Sequence, residues 1–264
     1  MENTKTAAQL ELMQKAGYLA ARCHREVASR LAPGVTTVEI DQFVENWLLQ
    51  QGATAEQKGY YGYPYATCAS VNQVVCHGFP SAKPLKSGDL VTIDFVVNYK
   101  GWLADMAWTY GIGYIQPEAK RLMQQTLHAL RYAAKLATPG RPVGDIAAAI
   151  GRMGRDAGYG VVTALVGHGI GQSIHEPPEI PNDGWPGRGP NLEEGMVITL
   201  EPIFTLGTSG DVILGADGWS VATCDGSWGA HFEHTVAVTA DGPRILTCLP
   251  FTLGGRNNSS GTLG

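Results

Sequence analysis

The feature that most narrows what this chain can be is a pair of aspartates, Asp94 and Asp105, on one β-hairpin read over residues 90–113. Val91–Val97 (VTIDFVV) is an apolar run broken by one carboxylate, and Asn98-Tyr99-Lys100-Gly101 reads as the turn. With a two- or four-residue loop there, Val97 faces Trp102, Val96 faces Leu103, and Asp94 faces Asp105. Directly opposed side chains share a face, with Cβ atoms about 5 Å apart. Two bare carboxylates there repel by about 3 kcal/mol at an effective dielectric near 20. That is a sizeable part of a typical stability of about 5–15 kcal/mol, so a divalent cation is the natural compensation. Alternation puts Asp94 on the face of Thr92 and Val96, with Ile93, Phe95 and Val97 pointing to the core. A lone strand Asp is usually an edge or bulge residue; two in register point to a metal or catalytic pair.

Three more metal-seeking side chains lie further along: His168, Glu201 and Glu233. Glu201 precedes Pro202, which cannot donate to a sheet ladder, so it belongs near a strand end or bulge, a place that often carries function. Glu233 shares a face with His231 and Thr235; read alone, it could equally face solvent. His168 is flanked by Gly167 and Gly169. It could be a simple loop histidine, but those glycines let backbone approach a cluster closely, and neutral imidazole is the commonest nitrogen ligand. Four carboxylates and one imidazole form a hard, oxygen-rich set, suited to two cations of the Mn, Fe(II), Co or Zn kind. Two such cations about 3.5–4 Å apart can ready a water and polarise a carbonyl. The chemistry is hydrolysis.

Size and charge remove other classes. The 264 residues carry net charge −5, with 44% hydrophobic and 16% charged residues. That fits an ordinary globule, and the missing Lys/Arg footprint argues against nucleic acid. Five cysteines without a CxxC pair suggest reduced thiols in the cytoplasm. The N-terminus has no signal-peptide pattern, and no run approaches the roughly 20 apolar residues that cross a bilayer.

Helical spacing covers residues 6–31 and, after Thr37 as N-cap, continues to about 51. Further helices span about 117–137 and 143–157. Between these pairs lie a Tyr/Gly-rich segment at 59–65, strand-like runs at 68–71 and 74–75, and the hairpin. Residues 161–166 read as a strand running into the His168 glycines, 176–194 as a surface loop, and 196–204 and 229–239 as two strands. Residues 254–264 read as a disordered tail, leaving 1–253 as a single catalytic domain. Helices followed by carboxylate strands occur twice, which suggests a duplicated α+β unit with the site between its halves. Rival motifs fail: His175–Glu179 begins like HExxH, but prolines forbid the helix, and no GxSxG or P-loop occurs.

These residues at these intervals resemble the type I methionine aminopeptidases over about residues 5–250. The matching pieces are Val71–Gly78 (VNQVVCHG), Asp94, Asp105, Gly167–Gly171 (GHGIG), His175-Glu176, Leu200-Glu201-Pro202 and Glu233-His234-Thr235. The resemblance implies a pita-bread fold, a curved antiparallel sheet flanked by helices around a central dinuclear metal site. It also implies removal of the initiator methionine from nascent chains whose second residue is small. By that analogy Asp94 holds one cation, His168 and Glu201 hold the other, Asp105 and Glu233 bridge them, and Glu201 doubles as general base. His77 and His175 are then expected to hydrogen-bond the substrate amide and the developing oxyanion. Tyr60, Tyr63, Cys68, Ile174 and Trp219 are expected to line the methionine pocket, whose aromatic and sulfur walls suit a thioether. The expected partner is the N-terminal peptide of a nascent polypeptide met by a cytoplasmic monomer; a ribosome contact is compatible, and neither nucleic acid nor membrane is expected.

Two positions depart from the family pattern. Ile174 stands where members commonly carry Phe, and Gln57 where several bacterial members carry Cys; both bear on the substrate pocket rather than the metals. The 32 residues between His168 and Glu201 leave no room for the helical insertion usual in type II members, and the start directly at the first helix looks bacterial in style. Two other readings stand beside this one: an Xaa-Pro aminopeptidase or prolidase, and a non-catalytic binding module on the same fold. His24 and His128 read as ordinary helix residues, Cys76 as a thiol near the site mouth, and His231 as a neighbour of the site rather than a ligand.

Overall fold

The computed structural model describes residues 4–248; the tail expected at 254–264 lies outside the described residues. Helix α1 (Ala7–Ala28) starts at a capping box in which Thr6 and Gln9 satisfy each other's backbone N–H groups. Helix α2 (Thr37–Gln50) starts the same way with Thr36 and Glu39. Its cap is therefore Thr36 rather than Thr37: Thr36 has the extended backbone an N-cap needs (φ −101°, ψ 150°), and Thr37 is already helical. Helix α1 buries Met13, Ala16, Gly17, Ala20 and Val27. Gly17 permits a close approach, because a Cβ there would strike the carbonyl of Leu246.

Strand β1 (Thr54–Ala55), a 3-10 turn (Tyr60–Gly62), β2 (Cys68–Val71) and β3 (Val74–Cys76) lead into the hairpin of β4 (Leu90–Tyr99) and β5 (Trp102–Gly111). Strand β4 pairs with β5 along one edge and with β1 and β2 along the other, all antiparallel. The hairpin register differs from the sequence expectation. Its loop is Lys100-Gly101 alone, both residues at positive φ (55° and 80°), as a tight primed turn requires. Tyr99 therefore faces Trp102, Val96 faces Asp105, and Asp94 faces Ala107. The two aspartates are diagonal neighbours, not directly opposed. The slip is two residues, so both stay on one face.

The second half begins with α3 (Pro117–Leu136) and α4 (Val143–Asp156). Strands β6 (Gly160–Val161), β7 (Gly167–Gly169), β8 (Glu176–Ile180), β9 (Val197–Leu200), β10 (Ile203–Thr205), β11 (Val212–Leu214), β12 (Val221–Thr223), β13 (Gly229–His231), β14 (His234–Thr239) and β15 (Gly242–Ile245) follow. They form an antiparallel sheet ordered β15-β14-β9-β7-β8, a small sheet β13-β10-β6, and a third, β11-β12-β3, that includes a strand of the first half. Three expectations need correction. Residues 161–166 are not a strand; β6 ends at Val161 and β7 starts at Gly167. The surface loop expected from 176 opens with β8, whose prolines are tolerated because it is an edge strand. The two long strands of 196–204 and 229–239 are each split, at Glu201-Pro202 and at Phe232-Glu233.

That split positions the site. Strands β9 and β14 pair in the five-stranded sheet, with Leu200 opposite His234; β10 and β13 pair in the small sheet, with Ile203 opposite His231. Both chains change sheets at the same level, and both glutamates stand at the change. The main core packs Ile93, Phe95 and Val97 against α1, α2 and residues of α3 and α4. Val96 faces the other way, into a second cluster with Leu103, Ile170 and Ile174. The alternation read from sequence holds.

Candidate active site

The hairpin delivers Asp94 and Asp105, β7 delivers His168, and the two strand breaks deliver Glu201 and Glu233. All five line one cleft of about 480 Å³, together with Cys76, His77 and His175. The backbone around three of them, Asp105, His168 and Glu201, is held by a threonine or asparagine from elsewhere. Thr235 accepts from the Asp105 N–H at 2.8 Å and donates to the Asp105 carbonyl at 2.8 Å. The Thr199 hydroxyl accepts from the His168 N–H at 2.9 Å and donates to Glu201 Oε1 at 3.0 Å. Asn182, fully buried, donates to the Glu201 carbonyl at 3.1 Å. The Glu233 N–H donates to the Ala107 carbonyl at 2.9 Å, tying that break to β5. Gly167 and Gly169 are needed as expected: a Cβ on either would collide with the backbone of Thr199 or of Pro177.

His168 Nδ1 lies 2.9 Å from the Gly169 carbonyl. That bond puts the ring proton on Nδ1 and leaves Nε2 with its lone pair free, 3.8 Å from Glu201 Oε1. Asp105, His168 and Glu233 each offer a ligand atom within 4.8 Å of the others. Asp94 keeps company with a different pair, Cys76 and His231, at the same spacing. Burial dominates the electrostatics. It pushes Asp105 up to about 7. Burial, then the charge of Asp105, pushes Glu201 up to about 8. Asp94 and Glu233 are raised well above the ordinary range by burial and then by the neighbouring carboxylates. Burial lowers His168 to about 4. Asp105 Oδ1 and Glu233 Oε1 are buried without a hydrogen-bond donor among the described residues. Orphaned carboxylate oxygens around a neutral imidazole fit divalent cations in chemistry and in number of donors.

His77 and His175 stand at the cleft as the sequence suggested. His77 adopts φ 53°, a strained backbone for a residue with a Cβ, and burial followed by the neighbouring His175 lowers its pKa. His175 is exposed, packs edge-on to His168 with centroids 4.3 Å apart, and has Nδ1 2.9 Å from the Tyr60 hydroxyl. Burial lowers its pKa as well. Its loop is capped by Glu176, which accepts from the Gln172 and Ser173 N–H groups and, at 2.6 Å, from Lys5.

The five residues expected around a methionine side chain do not line this cleft as a continuous wall. Ile174 and Tyr60 belong to the second core cluster. Tyr63 is buried and meets Trp219 edge-on at 5.0 Å. Cys68 is buried opposite Asp94 on β2. Gln57 is not a pocket residue by its polar end: its amide accepts from the Val96 N–H at 2.6 Å and donates to the Asp94 carbonyl at 3.1 Å. Cys76 is buried rather than at the mouth, and burial with the charge of Asp94 holds its thiol protonated. His24 is a satisfied core residue bonded at both ring nitrogens, to Tyr110 at 2.9 Å and Met106 at 3.0 Å; His128 is exposed. Sequence reasoning missed Thr199, Thr235 and Asn182. Only the closeness of Thr199 to Glu201 and of Thr235 to Glu233 in the sequence could have flagged the threonines; nothing local flags Asn182, which lies in a bend after β8.

Comparison with known proteins agrees in one direction. The model of metallopeptidase family M24 matches residues 11–240. Methionine aminopeptidase 1 of Bacillus subtilis is 40% identical over 243 residues, covering 92% of this chain and 98% of that protein. The crystal structure of methionine aminopeptidase from Rickettsia prowazekii superposes with a TM-score of 0.91 at 40% identity, over 92% of this chain and 98% of that one. The prolidase from Pyrococcus furiosus superposes less closely, with a TM-score of 0.77 at 25% identity, and only 66% of its chain is covered. The shared architecture is the pita-bread fold.

Proposed function

The chain belongs to metallopeptidase family M24, and we infer that it is a methionine aminopeptidase, hydrolysing the peptide bond after the initiator methionine when the second residue is small. The observation that carries this is the meeting of four carboxylates, three of them buried and Asp94 half-buried, with His168, His77 and His175 in one cleft. The alignment takes in 92% of this chain and 98% of a named methionine aminopeptidase, whereas a prolidase leaves a third of its chain unmatched.

The site residues are assigned as follows. Asp94 would hold one of two divalent cations (Co, Mn, Fe(II) or Zn), His168 and Glu201 would hold the other, and Asp105 and Glu233 would contribute to both. When bound, the cations supply Lewis acidity toward the amide carbonyl and make a water acidic enough to attack. Glu201 takes the water's proton and returns it to the leaving amine; the Thr199 hydroxyl on its Oε1 fixes which oxygen remains available. With the neutral Tyr60 phenol, whose pKa is raised chiefly by burial, assigned as donor in its 2.9 Å contact with His175 Nδ1, Nδ1 carries no proton. The His175 proton then resides on Nε2, where it can be donated to the carbonyl oxygen as charge develops there. His77, also neutral, is placed for the substrate amide. Tyr63, Cys68, Ile174, Trp219 and the ring of Tyr60 surround the methionine side chain.

We read residues 1–253 as one catalytic domain working as a cytoplasmic monomer on nascent chains, with a ribosome contact compatible. The free thiols of Cys23, Cys68 and Cys76 suit a reducing compartment, and among the described residues no helix is long and apolar enough to cross a membrane. The deciding experiment is cation-dependent release of methionine from Met-Ala-Ser and Met-Gly-Met-Met, beside an Ala-Pro peptide. Release from the methionine peptides alone is expected. Absence of release with every one of Co, Mn and Fe(II) would overturn the assignment.

A further inference from the structure

We propose that Cys76, Asp94 and His231 form a further cation seat beside the carboxylate cluster, selective for a thiophilic divalent ion of the zinc class. One sulfur, one carboxylate oxygen and one imidazole nitrogen of these residues lie within 4.8 Å of one another. They arrive on three strands of different sheets, at the end of β3, within β4 and at the end of β13. Cys76 and Asp94 line the cleft, so the seat opens to solvent through it.

His231 supplies the independent observation. It is 1% exposed, and neither ring nitrogen has a hydrogen-bond partner among the described residues. The other deeply buried histidines are bonded: His24 at both nitrogens, His168 to the Gly169 carbonyl and His234 to Thr247 at 2.8 Å. An unmade bond on a buried ring is costly, yet the backbone fixes this residue firmly. Its N–H donates to the Thr109 hydroxyl at 2.9 Å, and that hydroxyl donates to the His231 carbonyl at 2.7 Å. The ring is held in place with its nitrogens left free. Glu201 Oε2 is 4.0 Å from Nε2, beyond hydrogen-bond reach.

Thiolate, imidazole and carboxylate with one open position is a zinc-type tetrahedral set. The neighbouring cluster, carboxylates with one imidazole, is harder and oxygen-rich, so softness separates the two. Binding takes Cys76 as thiolate and Asp94 as carboxylate and releases to solvent the protons these two groups carry in the metal-free protein, with no change of oxidation state. The proposal does not depend on peptidase activity, and its test uses no peptide.

The full-length protein, reduced and metal-free, is titrated with Co2+ under anaerobic conditions. A sulfur-to-cobalt charge-transfer band in the near ultraviolet is expected, and Cys76→Ser should abolish it while the visible bands of the oxygen-rich centre persist. Losing a direct ligand should cost at least what losing an outer-shell partner does, so His231→Gln should weaken the cobalt affinity read from that band about tenfold or more. Cadmium NMR of the unmodified protein should show a resonance in the sulfur-ligated range, which decides the matter if His231→Gln does not fold. No sulfur band at saturating cobalt with no such cadmium resonance overturns the seat. So does a band that survives Cys76→Ser, or one whose affinity is unchanged in His231→Gln.

Discussion

Glu201 is held where burial, then the Asp105 carboxylate, oppose its charge, and its pKa stands at about 8, with Asp105 at about 7. An acid raised in this way keeps a proton in the native state that the unfolded chain has released. Its stabilising contribution is full below the unfolded pKa and is lost as pH rises through the folded value. The buried histidines act oppositely and in a lower window. His168 at about 4 and His231 at about 3 lose stability only as pH falls below their ordinary value of about 6.5. From about pH 6.5 to 8 the carboxylates act alone. The metal-free protein should lose about 2 kcal/mol across that window, a fall in Tm of about 5 °C; calorimetry in chelator reads it, and a flat or rising Tm refutes it. Also at this scale, His175→Ala should lower kcat about a hundredfold with metal content unchanged. Tyr60→Phe, which removes only the hydroxyl on Nδ1, should lose less, about tenfold. Equal losses would mean that the hydroxyl does more than orient the ring.

At the scale of elements, Asp94 and Asp105 sit within regular strands while Glu201 and Glu233 sit where strands break, and this difference decided what could be read in the sequence. Period-two alternation in Val91–Val97 correctly separates Ile93, Phe95 and Val97 from Asp94, because both faces of β4 are buried against different clusters. The register was harder. Asn98 looks like a loop residue but is the penultimate residue of β4, and its Oδ1 accepts from the Gly101 N–H at 2.8 Å, capping the turn from outside. Only Lys100-Gly101 remains as loop, and the pairing moves by two residues, an error to which the shared face of Asp94 and Asp105 is insensitive. Pro202 betrayed the break after Glu201; nothing local betrayed the break at Glu233, since Phe232-Glu233 has ordinary strand chemistry. The threonine clamps were illegible because Asp105 and Thr235 meet across 130 residues. Gln57 shows the same limit. Its amide continues the ladder where β1 ends, bonding backbone on both sides of Asp94's neighbour. Gln57→Ala leaves a buried N–H and C=O unpaired and should cost about 2 kcal/mol in chemical denaturation. An unchanged midpoint would show that water replaces the amide. Gly169→Ala pushes a methyl into the Pro177 carbonyl and should cost about 1–3 kcal/mol by the same measurement.

At the scale of the molecule, the first half contributes Asp94 and Asp105 on one hairpin, and the second contributes His168, Glu201 and Glu233 on two sheets. Four carboxylates gathered in one cleft, three of them buried, repel, and each resists ionising, so in the absence of cations the two halves meet at a site that works against their association. A cation bound by groups from both halves reverses that sign. It binds only the folded arrangement, because unfolding separates ligands more than 60 residues apart, as Asp105 and His168 are. Linkage then fixes the size of the effect: a free cation at a hundred times its Kd stabilises by about 2.7 kcal/mol, and each further tenfold adds about 1.4 kcal/mol. Tm should therefore climb with the logarithm of Mn2+ concentration and fall back on chelation. Hydrogen exchange should slow together in β4, β5, β9 and β14, not in one half alone. Asp105→Asn, which removes a charge placed to serve both cations, should flatten the climb while leaving the metal-free protein as stable or more so, since it also removes a source of repulsion. Protection confined to β9 and β14 in the wild type would mean that the cations are held by the second half only, and the hairpin aspartates would then need another explanation.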